Sequence, residues 1–236
     1  MAQSAVMPEK GPPCGGFDLA SFAHRHGGVT KYTLRRGGRL FSQDEPANDL
    51  FYLDQGQIQL SVTSVQRRLA IVDILTAGDF CGERCLVDES RQISTATCIT
   101  DSVVARIARA TVTRAVQQDT AFAEFCVIYF LERSARLTER LISQLFDPSE
   151  IRLARILLQL SNHGGDRGSM VIYNLDQEAL AQLIGTSRSR TNYFMNKFRE
   201  MGHIHYDGYN YIVVRDSLLQ VVPHEISDAA SEGRNL

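Results

Sequence analysis

The chain has 236 residues, 44% of them apolar and 22% charged, with a net charge of −2. That length suits one large or two ordinary domains, and the composition is that of a globular protein. No apolar run approaches the roughly 18 residues of a membrane span, no secretory signal is read at the start, and the near-neutral balance excludes chain-wide basicity but not a local basic patch. A cytoplasmic location without membrane attachment is expected.

Residues 1–16 read as a flexible tail, and Phe17 to His26 as a short helix. From Lys31 to about Ala108 the pattern is β. Ile58, Leu60 and Val62 alternate with Gln57, Gln59, Ser61 and Thr63, which predicts a half-buried strand. Leu50 to Leu53, Arg68 to Leu75, Thr95 to Ile99 and Val103 to Ile107 are further strand candidates. The turn signals Gly37-Gly38, Gln55-Gly56, Gly78-Asp79 and Asp101-Ser102 lie between them. Short strands at this spacing predict an antiparallel sandwich or barrel. The cysteines are Cys14, Cys81, Cys85, Cys98 and Cys126, an odd count that reads as reduced thiols. Cys81 and Cys85 are the close pair, and no histidine accompanies them, so no metal site is expected. Burial as small apolar side chains is the simpler reading.

From Ala121 to Phe146 there is neither proline nor glycine. Val127, Leu131, Ser134, Thr138, Leu141 and Leu145 step at heptad spacing, with Arg133, Arg136, Glu139 and Arg140 off the seam. The expectation is a dimerisation helix; the alternative is a long helix packed on its own β domain. Asp147-Pro148-Ser149 breaks the pattern, and Pro148 suits the start of a new helix, Glu150 to Leu160. Met170 to Tyr173 reads as a short strand.

The stretch Asp176 to Ile204 carries the most chemistry. Leu175 and Leu180 bracket a candidate N-cap, Asp176, as a hydrophobic staple. Leu180, Ala181, Leu183 and Ile184 give one apolar helical face. Gly185 supplies a tight turn, and Thr186 or Ser187 caps the next helix. In that helix Thr191, Phe194, Met195 and Phe198 fall on one side. Arg188, Ser189, Asn192, Tyr193 and Asn196 fall on another, a face able to hydrogen-bond base edges in a DNA major groove. Thr186 to Arg199 carries Arg188, Arg190, Lys197 and Arg199 and no acid, which favours phosphate. The bland alternative is a helical hairpin whose polar side faces water. His203 to Tyr206 and Tyr211 to Val214 then read as strands about an Asp207-Gly208 turn. Helix, turn, helix, hairpin is the order of a winged helix.

Taken together the chain resembles the CRP/FNR family, the catabolite activator and FNR type of bacterial regulator, over roughly Thr30 to Asp216. The β landmarks are Gly56, Gly78-Asp79-Phe80, Gly82-Glu83 and Thr95-Ala96-Thr97. Those of the DNA module are Leu180-Ala181, Gly185-Thr186-Ser187-Arg188 and Gly202-His203-Ile204. The resemblance implies an α+β fold: an N-terminal antiparallel β-roll of the cyclic-nucleotide-binding kind, a long dimerisation helix and a C-terminal winged helix-turn-helix. The expected divisions are 1–28 tail and short helix, 29–110 β-roll, 111–146 helical linker, 147–224 DNA-binding domain and 225–236 tail.

Departures from the family pattern bear on the effector. The cyclic-nucleotide cassette resembled here runs from Gly-Glu to an Arg before Ser/Thr-Ala, the Arg pairing with phosphate and the Glu with a ribose hydroxyl. Gly82 and Glu83 are present, but Ser94 stands at the Arg position before Thr95-Ala96, and a hydroxyl cannot supply a guanidinium's bidentate pairing. Arg84 and Arg91 are substitute cations, so the candidate pocket is Gly82, Glu83, Arg84, Arg91, Ser94 and Thr95. The adenine-contacting pair of the family's long helix falls on Arg136-Leu137 or Leu137-Thr138. A ligand other than cAMP, or none, is expected. Neither an iron–sulfur cluster nor haem is expected, because only Cys14 lies near the N-terminus and no histidine occurs between His26 and His163.

In the second helix Arg188 matches the family's first arginine. Ser189 stands for a glutamate and Tyr193 for a second arginine, so the operator should differ from the common half-site. Asn192 and Asn196 are candidate adenine readers, and Arg190 a phosphate contact. The resulting expectation is a homodimeric, sequence-specific transcriptional regulator on a palindromic site. Double-stranded DNA is its partner, and RNA polymerase and a small-molecule effector are further candidates. The alternative is a nucleotide-sensing module acting through protein partners. No enzyme is expected, since no nucleophile–base arrangement, zinc spacing or phosphate loop stands out.

Overall fold

The computed structural model describes residues 17–88, 90–161, 171–173, 177–206 and 211–222. Two compact units meet in the chain between Leu145 and Phe146. The first opens with helix α1, Leu19–His26, whose N-cap Asp18 accepts the amides of Ala20 and Ser21, each at 3.0 Å.

Eight strands follow: β1 Val29–Leu34, β2 Arg39–Phe41, β3 Asp49–Gln55, β4 Gln57–Thr63, β5 Leu69–Thr76, β6 Phe80–Cys81, β7 Thr95–Cys98 and β8 Ser102–Ala108. They form two antiparallel four-stranded sheets, ordered β1-β8-β3-β6 and β2-β7-β4-β5. Leu53, Val104 and Cys81 of the first sheet share a core with Ile58, Leu75, Ala96 and Cys98 of the second. Strand β3 is buried on both faces. Phe51 and Leu53 join that core, while Leu50 and Tyr52 join another, built with the helices. This accounts for the unbroken apolar run Leu50 to Leu53, since successive side chains of a strand take opposite faces.

The second core holds Phe22 of α1, Phe80 and Ile107, with Val112 of α2 (Arg109–Gln118) and Phe122 and Tyr129 of α3 (Thr120–Phe146). Phe17 packs at its edge, with its ring centroid 5.1–5.9 Å from those of Tyr52, Phe80, Phe22, Phe125 and Phe122. Asp119 separates α2 from α3. Its carboxylate accepts the Phe122 amide at 3.1 Å and pairs with Arg25 at 2.5 Å and His26 at 3.1 Å, tying α1 to the start of the long helix.

The strict alternation expected in β4 fails at its far end. Ser61 is buried and Val62 is not, because the β4–β5 ladder slips there: Leu60 pairs with Asp73 and Ser61 with Ile71, leaving Val72 as a bulge. Strands β1, β2 and β6 were not among the strands named from the sequence.

Helix α3 has two working faces. One packs on the β domain. Tyr129 is buried and its hydroxyl accepts the Phe80 amide at 2.8 Å. Arg133, also buried, donates to the Phe80 carbonyl at 2.5 Å and lies 3.7 Å from Glu83. Arg136 lies 3.9 Å from Asp79, and Arg140 2.5 Å from Asp73. The other face is the heptad seam. Val127, Leu131, Leu141 and Leu145 are 60%, 66%, 59% and 67% exposed, and Ser134 and Thr138 between them are exposed as well.

The second unit contains α4 Ser149–Ser161, β9 Val171–Tyr173, α5 Gln177–Ile184, α6 Arg188–Glu200, β10 Ile204–Tyr206 and β11 Tyr211–Val214, followed by a 3₁₀ turn Asp216–Val221. The strands form an antiparallel sheet ordered β10-β11-β9. Leu153, Leu157, Leu180, Ile184, Phe198, Ile212 and Leu218 are among its buried side chains. The staple at Leu175 and Asp176 and the Asp207-Gly208 turn lie outside the described residues. His203, expected in a strand, precedes β10: its amide donates to the Phe198 carbonyl at 2.9 Å, closing the end of α6, and Nδ1 of its buried ring lies 2.9 Å from Ser217 Oγ.

The Tyr129 hydroxyl is the acceptor for a buried backbone amide. Tyr129→Phe is expected to destabilise the protein by roughly 1–3 kcal/mol, since the Phe80 N–H loses its partner while the ring is kept. Urea denaturation reads this directly, and an unchanged midpoint would show that the amide is satisfied another way.

Candidate nucleic-acid interface and sensor site

The turn between α5 and α6 places the polar helical face. Gly185 sits at φ 63°, in the left-handed region that favours glycine. The Thr186 amide donates to the Ala181 carbonyl at 2.9 Å, closing α5. Ser187 then caps α6, its side chain accepting the Arg190 amide at 3.3 Å, which decides between the two expected caps. Thr191 is fully buried and donates to the Ser187 carbonyl at 3.2 Å. With Phe194, Met195 and Phe198 it makes the inward face of α6.

Arg188, Ser189, Arg190, Asn192 and Tyr193 are exposed, and Asn196 is half-buried. The guanidinium carbon of Arg190 lies 5.9 Å from the Phe194 ring centroid, and Tyr193 is 63% exposed. No acid lies in the first turn of α6, so its N-terminal dipole and Arg188 act together on an anion. Lys197 differs from its neighbours. It pairs with Glu150 of α4 at 2.7 Å, and that hydrogen bond raises its pKa. Its charge is spent inside the unit, because position 197 is turned towards α4 and away from the Arg188 face.

Of the candidate pocket residues in the first unit, Glu83 and Arg84 lie in a 3₁₀ turn, Glu83–Leu86, that follows Gly82. Gly82 before it has φ 79°, and a Cβ there would stand 2.7 Å from the Asp49 carbonyl oxygen and 2.9 Å from the Phe51 ring. The Glu83 carboxylate faces Arg133 of α3 at 3.7 Å. Ser94 is buried. Thr95 Oγ1 accepts the Gln43 amide at 2.9 Å. Arg84 is exposed, and Arg91, also exposed, donates to the Asp44 carbonyl at 2.6 Å. The cation beside Glu83 is therefore Arg133, a residue sequence reasoning had set aside as merely off the seam. Its signal was available: Tyr129, Arg133, Arg136 and Arg140 also step by four, three and four.

Cys81, Cys85 and Cys98 are buried and Cys126 half-buried, all as free thiols. Burial raises the pKa of each, to about 12 for Cys85 and about 11 for Cys126. At neutral pH these groups are protonated and poor nucleophiles. Among the described residues, no group of three or more His, Cys, Asp or Glu side chains is placed to hold a metal ion, and no helix is long and apolar enough to cross a membrane.

Comparison with known proteins places both units. Residues 32–119 match the model of the cyclic nucleotide-binding domain, and residues 151–218 that of the Crp-like helix-turn-helix domain. A CRP-like cAMP-activated global transcriptional regulator of Mycobacterium tuberculosis is 26% identical over 185 residues, 77% of this chain and 82% of that protein. The HTH-type transcriptional regulator Cmr of the same species is 27% identical over 180 residues, 76% of this chain and 70% of that protein. Among solved structures, FixK2 from Bradyrhizobium japonicum superposes with a TM-score of 0.73 at 17% identity, over 84% of this chain and 98% of FixK2. The chain belongs to the CRP/FNR family of transcriptional regulators, with a cyclic-nucleotide-binding-like sensor domain ahead of a DNA-binding helix-turn-helix.

Proposed function

We propose that the protein acts as a homodimer on a twofold-symmetric DNA site, with α6 in the major groove. The observation that carries this reading is the outer face of α3. Its seam leaves four large aliphatic side chains more than half exposed in a single copy, while its inner face is occupied by the β domain. A second copy of the same helix would cover that stripe with matching knobs and holes. Two copies then present two α6 helices to half-sites about one helical turn apart. Arg188 is the guanine-reading candidate. Ser189, Asn192, Tyr193 and Asn196 complete the base-facing set, and Arg190 serves phosphate. RNA polymerase is the protein partner such a regulator implies, and the cytoplasm is where it would meet DNA.

For the effector, the M. tuberculosis relative is named as cAMP-activated, but in this chain Ser94 stands where the cyclic-nucleotide cassette it resembles carries an arginine. Ser94 brings no charge. Glu83 already faces Arg133, and Arg91 is engaged by the Asp44 carbonyl. Among the described residues of the candidate pocket no buried guanidinium is left free for a cyclic phosphate, so cAMP is not the expected ligand.

Replacing Leu131 and Leu141 together by Glu should split the dimer, because the seam would bury unpaired carboxylates. Light scattering that returns an unchanged mass would overturn the seam. Arg188→Ala should weaken specific binding by roughly 1–3 kcal/mol while sparing random duplex. Equal losses on both would reduce Arg188 to a phosphate contact. Calorimetry with cAMP should show no micromolar binding, and Ser94→Arg should gain affinity. Tight binding that survives both Arg84→Ala and Arg91→Ala would refute the effector reading.

A further inference from the structure

We infer that Asn192 is the adenine-reading residue of α6, and that Tyr206 of β10 is the positioning residue that orients it through Asn196. The inference rests on the proposed docking of α6 in the major groove. The Tyr206 hydroxyl donates to Oδ1 of Asn196 at 2.9 Å. Nδ2 of Asn196 in turn donates to Oδ1 of Asn192 at 3.4 Å. The tyrosine ring is itself held from α6, with the Arg199 guanidinium carbon 5.1 Å from its centroid. Residues 192, 196 and 199 follow one another at steps of four and three, so a single stripe of the helix runs from the exposed face back to the wing. Strand β10 is a firm mount for the hydroxyl: Ile204 is buried, and Tyr206 pairs with Ile212 in the ladder.

Donor and acceptor accounting separates the two asparagines. Adenine is read by a side-chain amide that accepts from N6–H and donates to N7 in one plane. Asn196 has its oxygen engaged by Tyr206 and one N–H engaged by Asn192, and it is half-buried. Asn192 is exposed, and its oxygen keeps a second lone pair. Among the described residues, no hydrogen bond engages its amide nitrogen. Reversing both amides together, with the tyrosine hydroxyl then accepting, keeps the chain of bonds intact. Asn192 would still retain one N–H and one acceptor. In either setting Asn192 presents both groups that adenine needs, and the plane of its amide is set by Asn196. A free asparagine would lose rotamer freedom on binding; here part of that loss is met on folding.

The test uses the full-length protein. Selection from randomised duplexes defines the symmetric site, and affinities for each base at each pair of positions define the preferences. One symmetric pair should prefer adenine, and Asn192→Ala should abolish that preference alone. Tyr206→Phe, which keeps the ring over Arg199, should lower the same preference roughly tenfold, within the roughly 5- to 150-fold that a good bidentate contact supplies. It should leave random-duplex binding and the thermal midpoint little changed. In an Asn192→Ala background Tyr206→Phe should have no further effect on base preference. A preference that survives Tyr206→Phe, an equal effect in both backgrounds, or a preference lost with Asn196→Ala but kept in Asn192→Ala would each overturn the inference. Enrichment of no symmetric site would overturn the regulator reading itself, and the inference with it.

Discussion

The rest of the first unit depends on how α3 is held against its own β domain. Tyr129 and Arg133 both converge on the Phe80 backbone, one accepting its amide and the other donating to its carbonyl. Burying a guanidinium costs several kcal/mol unless its donors are met and a counter-charge is near. Phe80 and Glu83 supply both, and they sit on either side of the Gly82 turn that the cradle of Asp49 and Phe51 requires. The inner face thereby fixes the rotation of the helix about its axis. That rotation is what points Val127, Leu131, Leu141 and Leu145 away from the domain. The outer seam is thus a product of the inner one.

A comparable division organises α6. Its apolar side is spent on the unit's core, and Lys197 on Glu150. The stripe beginning at Arg188 stays exposed. The Ser187 cap and the left-handed Gly185 set where that stripe starts, and the wing sets how part of it is oriented. The proposed base-facing set is accordingly rich in hydroxyls and amides, with Arg188 as its exposed cation. This fits a chain whose net charge is only −2: the proposed readout would lean on hydrogen-bond geometry more than on bulk attraction.

Much of this architecture was legible before any coordinates. The heptad seam and the Gly185 turn stood out because apolar spacing and glycine carry direct geometric meaning. Strand β3 was legible from the run Leu50 to Leu53, but its burial on both faces was not, because that depends on the helices that cover the second face. Arg133 was missed because an arginine on a helix ordinarily reads as solvated, and only the carbonyl it meets in the fold makes burial tolerable. Val72 was missed because a bulge adds one residue without altering composition, yet it turns Ser61 inward. The role of Tyr206 depends on β10 folding back beside α6, a pairing that local periodicity does not encode.

The two faces of α3 also answer to different properties of the solvent. The inner face leans on three arginine–carboxylate pairs, of which Arg136 with Asp79 and Arg140 with Asp73 are partly exposed, and such pairs weaken as mobile ions screen them. The outer face offers aliphatic surface, whose burial is insensitive to screening and is strengthened by excluded salts such as sulfate. Rising ionic strength therefore weakens the polar part of the hold on the domain, whereas the packing of Phe122 and Tyr129, like the aliphatic seam, does not respond to screening. The stretch of the helix from Arg133 to Arg140 is therefore where its attachment to the domain answers to the ionic composition of the surroundings.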